Sequence, residues 1–348
     1  MAQKRAHQGD PVSLYAGGDR PMWVDYVPAS WRPFIQLTRI NFAAPVLLVY
    51  FPHLYGVLQT AIVRRQNRNN GGAVDDDGGP VPLRDVLRVA LLLLGGSFFY
   101  SMAAHAWDDI VDAPLDRLMA RTRNRPVARG AVSVRAALVF TLAQALLAAS
   151  FFLVLPRAAA RCAVPSVVSC FYYPWAKRHT HLPQLVLGFC LAWGVMTGSA
   201  SLGSTYGDNN HQGRRAVWED AARLSLVLVC TLWTVIYDTI YASIDVPEDL
   251  RLGLMSTAVL FRHRLKPFLG VMLGGMGLCL AYCGAASGMG LWYFLFAVGG
   301  SFVPIGWMIY RVDLSSTTSC YRWFSRGFWL PGLAIMVGLG AELLATPG

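Results

Sequence analysis

Eight of the chain's 20 carboxylates stand in two places. The first is "DDIVDAPLD", with Asp108, Asp109, Asp112 and Asp116; the second is "YDTIYASIDVPEDL", with Asp238, Asp245, Glu248 and Asp249. Positions 108, 112 and 116 recur every four residues, and 238, 245 and 249 follow at seven and then four, spacings that put side chains on one helix face. Pro114 and Pro247 are expected to break these helices part-way, so the alignment holds only as far as Asp112 and Asp245. Like charges this close repel one another unless a cation neutralises them. Hard oxygen donors in this number suit magnesium, which takes one or two carboxylates and completes its shell with water and substrate phosphates. Two such groups facing each other across a cavity form a clamp for a diphosphate. The basic residues between them, Arg121, Arg125, Lys177 and Arg178, suit the remaining phosphate charge. The plainer alternative is that each aspartate pairs with a neighbouring arginine in a solvated loop. Two clusters of similar build, both at the ends of apolar runs where charge is costly, weigh against it.

The segments that must hold these residues are apolar. Only 14% of the 348 residues are charged, 55% are hydrophobic, and the mean hydropathy is +0.41. That balance belongs to a polytopic membrane protein rather than a soluble domain. Nine apolar runs near 20 residues recur at 43–63, 87–107, 133–155, 158–174, 184–204, 221–241, 268–286, 290–310 and 327–345, the fourth interrupted by Pro165. Their length and the lack of period-2 alternation make them helices, so the fold class is all-α, a multi-pass transmembrane bundle. The net charge of +10 raises nucleic acid as a partner. Its distribution argues otherwise: with the N-terminus in the cytoplasm, 20 of the 30 Lys and Arg fall on the cytoplasmic side. Both acidic clusters lie on that side too, and the partner implied is a lipid bilayer.

Residues 1–30 read as a disordered cytoplasmic head without signal or transit character, and 31–348 as a single membrane domain. The polar segments "RRQNRNNGGAVDDDGGPVP" and "STYGDNNHQGRRAVWED" read as loops on the opposite side. The seven cysteines lie mostly within apolar runs and imply neither a metal site nor a disulfide framework. His105, at the end of a run, is more simply a packed or hydrogen-bonded histidine than a ligand. Tyr172, Tyr173 and Trp175 suit either the flank of a carbocation or an interfacial anchor. Tyr241 falls on the Asp238–Asp245 face and is a candidate for the site.

Three blocks carry a resemblance to the UbiA-type intramembrane aromatic prenyltransferases. "DDIVDAPLDRLMARTRNRPVARG" resembles that family's first aspartate motif with its following basic segment. "YYPWAKRHTHLPQLVLG" is similar to a block of the branch that prenylates 4-hydroxybenzoate, and "YDTIYASIDVPEDLRLGLMSTAVLF" resembles the second aspartate motif of the same branch. Asp108 stands where the family usually has Asn, and Glu248 where Asp is common. The resemblance implies magnesium held by Asp108, Asp109, Asp112, Asp116, Asp238, Asp245 and Asp249. It implies a polyprenyl diphosphate bound with help from Arg39, Arg121 and Arg125, and catalytic roles for Asp238, Tyr241, Lys177 and Arg178. An allylic cation forms as diphosphate leaves, a ring carbon of a phenolic acid attacks it, and a carboxylate of the second cluster removes the ring proton. The short head and the two polar loops look most like fungal relatives that attach farnesyl to phenolic acids in meroterpenoid pathways. That implies the endoplasmic reticulum or another endomembrane. The alternative is 4-hydroxybenzoate polyprenylation for ubiquinone, in the mitochondrial inner membrane. More distant rivals are a membrane terpene cyclase, which needs no phenolic co-substrate, and a transporter, whose ionisable residues usually lie near the bilayer midplane.

Overall fold

The computed structural model describes residues 24, 26–40, 44–69, 81–203 and 221–346. The head to residue 23, most of the first polar loop and all of 204–220 lie outside the described residues. Every regular element among the described residues is helical. In chain order these are α1 (Arg32–Thr38), α2 (Ala44–Asn69), α3 (Leu83–Asp116), α4 (Val134–Ser150), α5 (Arg157–His179), α6 (Pro183–Ala192), α7 (Gly194–Ser201) and α8 (Ala221–Ala242). Then come two short helices, α9 (Val246–Leu252) and α10 (Thr257–Leu260), followed by α11 (Leu265–Ala286). A π-helical segment (Tyr293–Gly299) leads into α12 (Gly300–Arg311), and α13 (Thr317–Gly327) and α14 (Trp329–Ala345) close the chain.

Eight helices or helix pairs are long and apolar enough to cross a membrane. The ninth expected run is α5, a 23-residue helix. It has the length but not the hydropathy, because Arg157, Arg161, Lys177 and Arg178 crowd its two ends. Pro165 and Pro174 both lie inside α5 without stopping it. Pro114 likewise sits inside α3, which runs on to Asp116, so the expected break does not occur there. Pro247 does mark a break: α8 stops at Ala242, and Pro247 occupies the first turn of α9, where its missing N–H costs nothing.

Apolar side chains point outward as well as inward. On α4, Val139 is 70% and Leu142 60% exposed, a surface that belongs against lipid. At mid-depth α2 and α7 meet backbone to backbone. A Cβ on Gly56 would lie 2.0 Å from the Val195 carbonyl oxygen, and one on Gly198 would lie 2.0 Å from that of His53. Only glycine permits this approach, and Ser199 Oγ donates across the seam to the Gly56 carbonyl at 3.2 Å.

A second, small apolar cluster lies beyond the main core. Leu37, Ala106, Ala113, Val127, Val132 and Ala137 pack together, joined by Phe34 and Phe140. It pins α1 and the turn-rich segment 117–133 onto the last turns of α3. Ser133 closes that segment by accepting the Ala136 N–H at the start of α4. Arg39 and Arg125 are thereby held over the first acidic cluster, and Arg121 is turned to the second.

Candidate active site

One cavity of about 250 Å³ takes in both acidic clusters. Asp108, Asp112 and Asp116 reach it from α3, Asp238 and Tyr241 from α8, and Asp245 and Asp249 from the α8–α9 turn and α9. Arg39, Arg121, Arg125 and Lys177 line it as well. The structure therefore brings together most of the residues singled out in the sequence. Glu248 of the second cluster does not face the cavity, nor do Asp109 and Arg178. Asp109 is 1% exposed and lies behind it, 2.7 Å from Arg39 Nη2 and 3.4 Å from Arg125 Nη1. Consecutive helix positions turn about 100°, so Asp109 cannot share the face of Asp108. Arg178 lies behind Asp112, donating to the Val111 carbonyl at 3.2 Å.

Cations separate the carboxylates. Arg39 Nη2 is 3.3 Å from Asp108 Oδ2, Arg125 Nη1 is 3.0 Å from Asp116 Oδ2, and Lys177 Nζ bonds Asp112. Arg121 grips Asp245 with two parallel bonds, Nε to Oδ1 at 2.8 Å and Nη2 to Oδ2 at 2.6 Å, the fork geometry of a strong ion pair. Its Nη1 donates to Tyr241 Oη at 2.7 Å, and the Tyr241 ring stacks on Phe324 with centroids 4.2 Å apart. Burial disfavours the charged form of Arg121, but Asp245 and Tyr241 overcome it and hold its pKa above the ordinary value. On α9, burial and then the neighbouring Asp245 push the Asp249 carboxyl up to about 7, with Lys177 and Arg121 opposing.

The backbone is shaped to the same end. Arg39 caps α1 with φ 52°, ψ 25°, the sole non-glycine with positive φ among the described residues. Such a conformation costs about 1–3 kcal/mol and clusters at functional sites. It turns the side chain back toward Asp108 and Asp109. Glu248 accepts the Ala120 N–H at 3.1 Å, and Arg251 donates to the Leu118 carbonyl at 3.1 Å, tying α9 to the loop that carries Arg121.

The residues fit a hard divalent cation. The donors are carboxylate oxygens, and Asp112 Oδ1 is buried without a hydrogen-bond partner, 3.7 Å from Arg178 Nη2. An anionic oxygen held so lacks the ligand its burial calls for. Among the described residues no three His, Cys, Asp or Glu side chains converge as a ready metal cage.

Other residues sort by contact. His105 lines the cavity and hydrogen-bonds the Ser101 carbonyl through Nδ1 at 2.7 Å. Of the aromatic trio, Tyr173 faces the cavity. Trp175 packs with Trp107 and Phe171, and Tyr172 stacks on His179. All seven cysteines are free thiols. Sequence reasoning passed over Gln184, 4% exposed, which lines the cavity with Asp238 and whose Oε1 accepts the Thr257 N–H at 3.0 Å. Its signal was an amide directly after Pro183, at the start of an apolar run.

A helical membrane bundle with two opposed aspartate clusters at one end of a shared cavity defines an enzyme class, the intramembrane prenyltransferases. Residues 76–331 match the UbiA prenyltransferase family, and the chain belongs to that family. It is 32% identical over 276 residues to the prenyltransferase ascA of Acremonium egyptiacum, covering 79% of this chain and 75% of that one. It is 30% identical over 304 residues to the mitochondrial 4-hydroxybenzoate polyprenyltransferase of Schizosaccharomyces pombe, covering 87% and 78%. Among solved structures, an apo UbiA homologue from Aeropyrum pernix K1 superposes with TM-score 0.64 at 23% identity, covering 85% of this chain and 96% of that one. A UbiA homologue from Archaeoglobus fulgidus bound to GPP and Mg2+ superposes with TM-score 0.55 at 14% identity, covering 90% and 100%.

Proposed function

We propose that this enzyme transfers a farnesyl group from farnesyl diphosphate to a ring carbon of a phenolic acid, with magnesium, in the biosynthesis of meroterpenoid secondary metabolites. The observation that carries the reading is a single cavity whose rim holds both carboxylate clusters with Arg39, Arg121, Arg125 and Lys177, while its depth is apolar. Asp108, Asp112 and Asp116 on one side and Asp238, Asp245 and Asp249 on the other would hold the metal. Magnesium held by these residues would supply positive charge to a leaving diphosphate. Asp109 holds Arg39 and Arg125 in place from behind, and these two with Lys177 take up phosphate charge. Arg121, fixed by Asp245 and Tyr241, orients toward the same oxygens. The surrounding helices exclude water from the allylic cation, and Asp238 takes the ring proton after the new carbon–carbon bond forms.

The reaction face is proposed to be cytoplasmic, in the endoplasmic reticulum or a related membrane. Relatives named 4-hydroxybenzoate polyprenyltransferases favour a second reading, ubiquinone synthesis at the mitochondrial inner membrane. Incubating membranes that contain the protein with magnesium, geranyl, farnesyl, geranylgeranyl and a long-chain polyprenyl diphosphate and a panel of phenolic acids that includes 4-hydroxybenzoate, then identifying the products by mass, tests both. Farnesyl on a polyketide-type phenolic acid is the expected product. Turnover confined to 4-hydroxybenzoate with a long polyprenyl donor would establish the second reading instead.

A further inference from the structure

The cavity is not equally deep on every side. Along α2 its wall ends at Val49, and along α8 at Tyr237, beside Asp238. It runs furthest between α3, α5 and α6, where Tyr100, Cys170, Leu187, Cys190 and Leu191 line it. Tyr100 and Ala104 share a face with Asp108, and eight residues of helix set Tyr100 about 12 Å below that carboxylate. This arm has no charged residue in its wall. An ionised phenolic acid placed there would have no cation to meet it, whereas an isoprenoid tail gains from the burial.

The arm is blind. Tyr100 Oη lies 3.4 Å from both the Ser166 carbonyl oxygen and Ser166 Oγ, and 3.6 Å from Cys190 Sγ. Ser166 Oγ in turn donates to the Cys190 carbonyl at 2.6 Å. One side chain from α3 thus bridges α5 and α6, and Ser166 and Cys190 are themselves buried beneath it.

We propose that Tyr100 closes the inner end of the donor channel and limits the length of prenyl chain that the site accepts. The proposal rests on reading the cavity as a prenyl diphosphate site. Its test is equilibrium binding of geranyl, farnesyl and geranylgeranyl thiodiphosphates, with magnesium, to the purified full chain in detergent; no acceptor or turnover is needed. Wild type should prefer one length. Tyr100→Ala should shift the preference to the next longer donor, changing the ratio of the two affinities by about tenfold or more. Tyr100→Phe keeps the ring and should keep the wild-type order. From the facing helix, Leu191→Trp fills the same arm and should shift the preference to the next shorter donor, so the proposal stays testable if Tyr100→Ala fails to fold. Inorganic diphosphate reports whether the head site is intact in each variant. An unchanged order in Tyr100→Ala or Leu191→Trp that still binds inorganic diphosphate overturns the role of Tyr100. Failure of wild type to bind any prenyl chain overturns the reading of the cavity as well.

Discussion

The two acidic clusters look alike in sequence and are built differently. The first sits on the last turns of one continuous helix, and its aspartates are closed in by cations: Asp109, Asp112 and Asp116 are 1%, 4% and 2% exposed. The second straddles a break. Asp238 belongs to α8, Asp245 to the turn after it and Asp249 to α9, and the one ion pair within it among the described residues is Arg121–Asp245. A rigid, charge-balanced half thus faces a jointed half whose position depends on loop contacts. The first suits a fixed anchor for metal and diphosphate. The second suits a partner that adjusts to whatever is bound.

Asp112→Ala and Asp245→Ala should each cut turnover by about a hundredfold or more, since each removes an anionic oxygen aimed at the reacting charge. Both proteins should still reach the membrane at normal level. Were Asp245→Ala to retain most of its activity while Asp112→Ala lost it, the jointed half would be no part of the clamp. Chelation should stop wild-type turnover and added magnesium restore it; a rate indifferent to chelator would leave the carboxylates without their proposed purpose. Asp108 lies in the rigid half, 3.3 Å from Arg39 and 3.7 Å from Arg125. Asp108→Asn, which keeps an oxygen ligand, should hold substantial activity with an altered magnesium dependence, and Asp108→Leu should lose far more. Identical magnesium curves for Asp, Asn and Leu would put residue 108 outside the site. The smallest effect expected is that of Glu248→Gln. The amide oxygen can still accept from Ala120, so the rate should stay within about threefold, the span of one neutral hydrogen bond. A loss as large as that of Asp245→Ala would make Glu248 more than a latch.

Much of this site was legible because a helix enforces its own spacing. Asp108, Asp112 and Asp116 share a face by arithmetic, and the same arithmetic turns Asp109 away, behind Arg39. The second cluster misleads: seven-then-four spacing reads as one helix, yet the chain bends after Ala242, and Asp245 and Asp249 reach the cavity because of that bend. Pro247 was the visible cue. Pro114 gave a similar cue without the same outcome: α3 carries the proline and runs on to Asp116. The fifth span divides into two helices, α6 and α7, and the last apolar run, 327–345, is preceded by a separate helix, α13, features a hydropathy run does not reveal. The inner arm was invisible from sequence. Tyr100, Ser166 and Cys190 stand far apart in the chain, and only the packing of α3, α5 and α6 makes them neighbours.

The glycine seam between α2 and α7 has a mechanical consequence. Because the two backbones already touch at Gly56 and Gly198, the helices cannot be squeezed closer, and parting them forfeits contact over their whole length. The seam therefore fixes α2 near its middle, and the first turns of the helix, from which Pro45 and Leu48 line the cavity, lie beyond that contact.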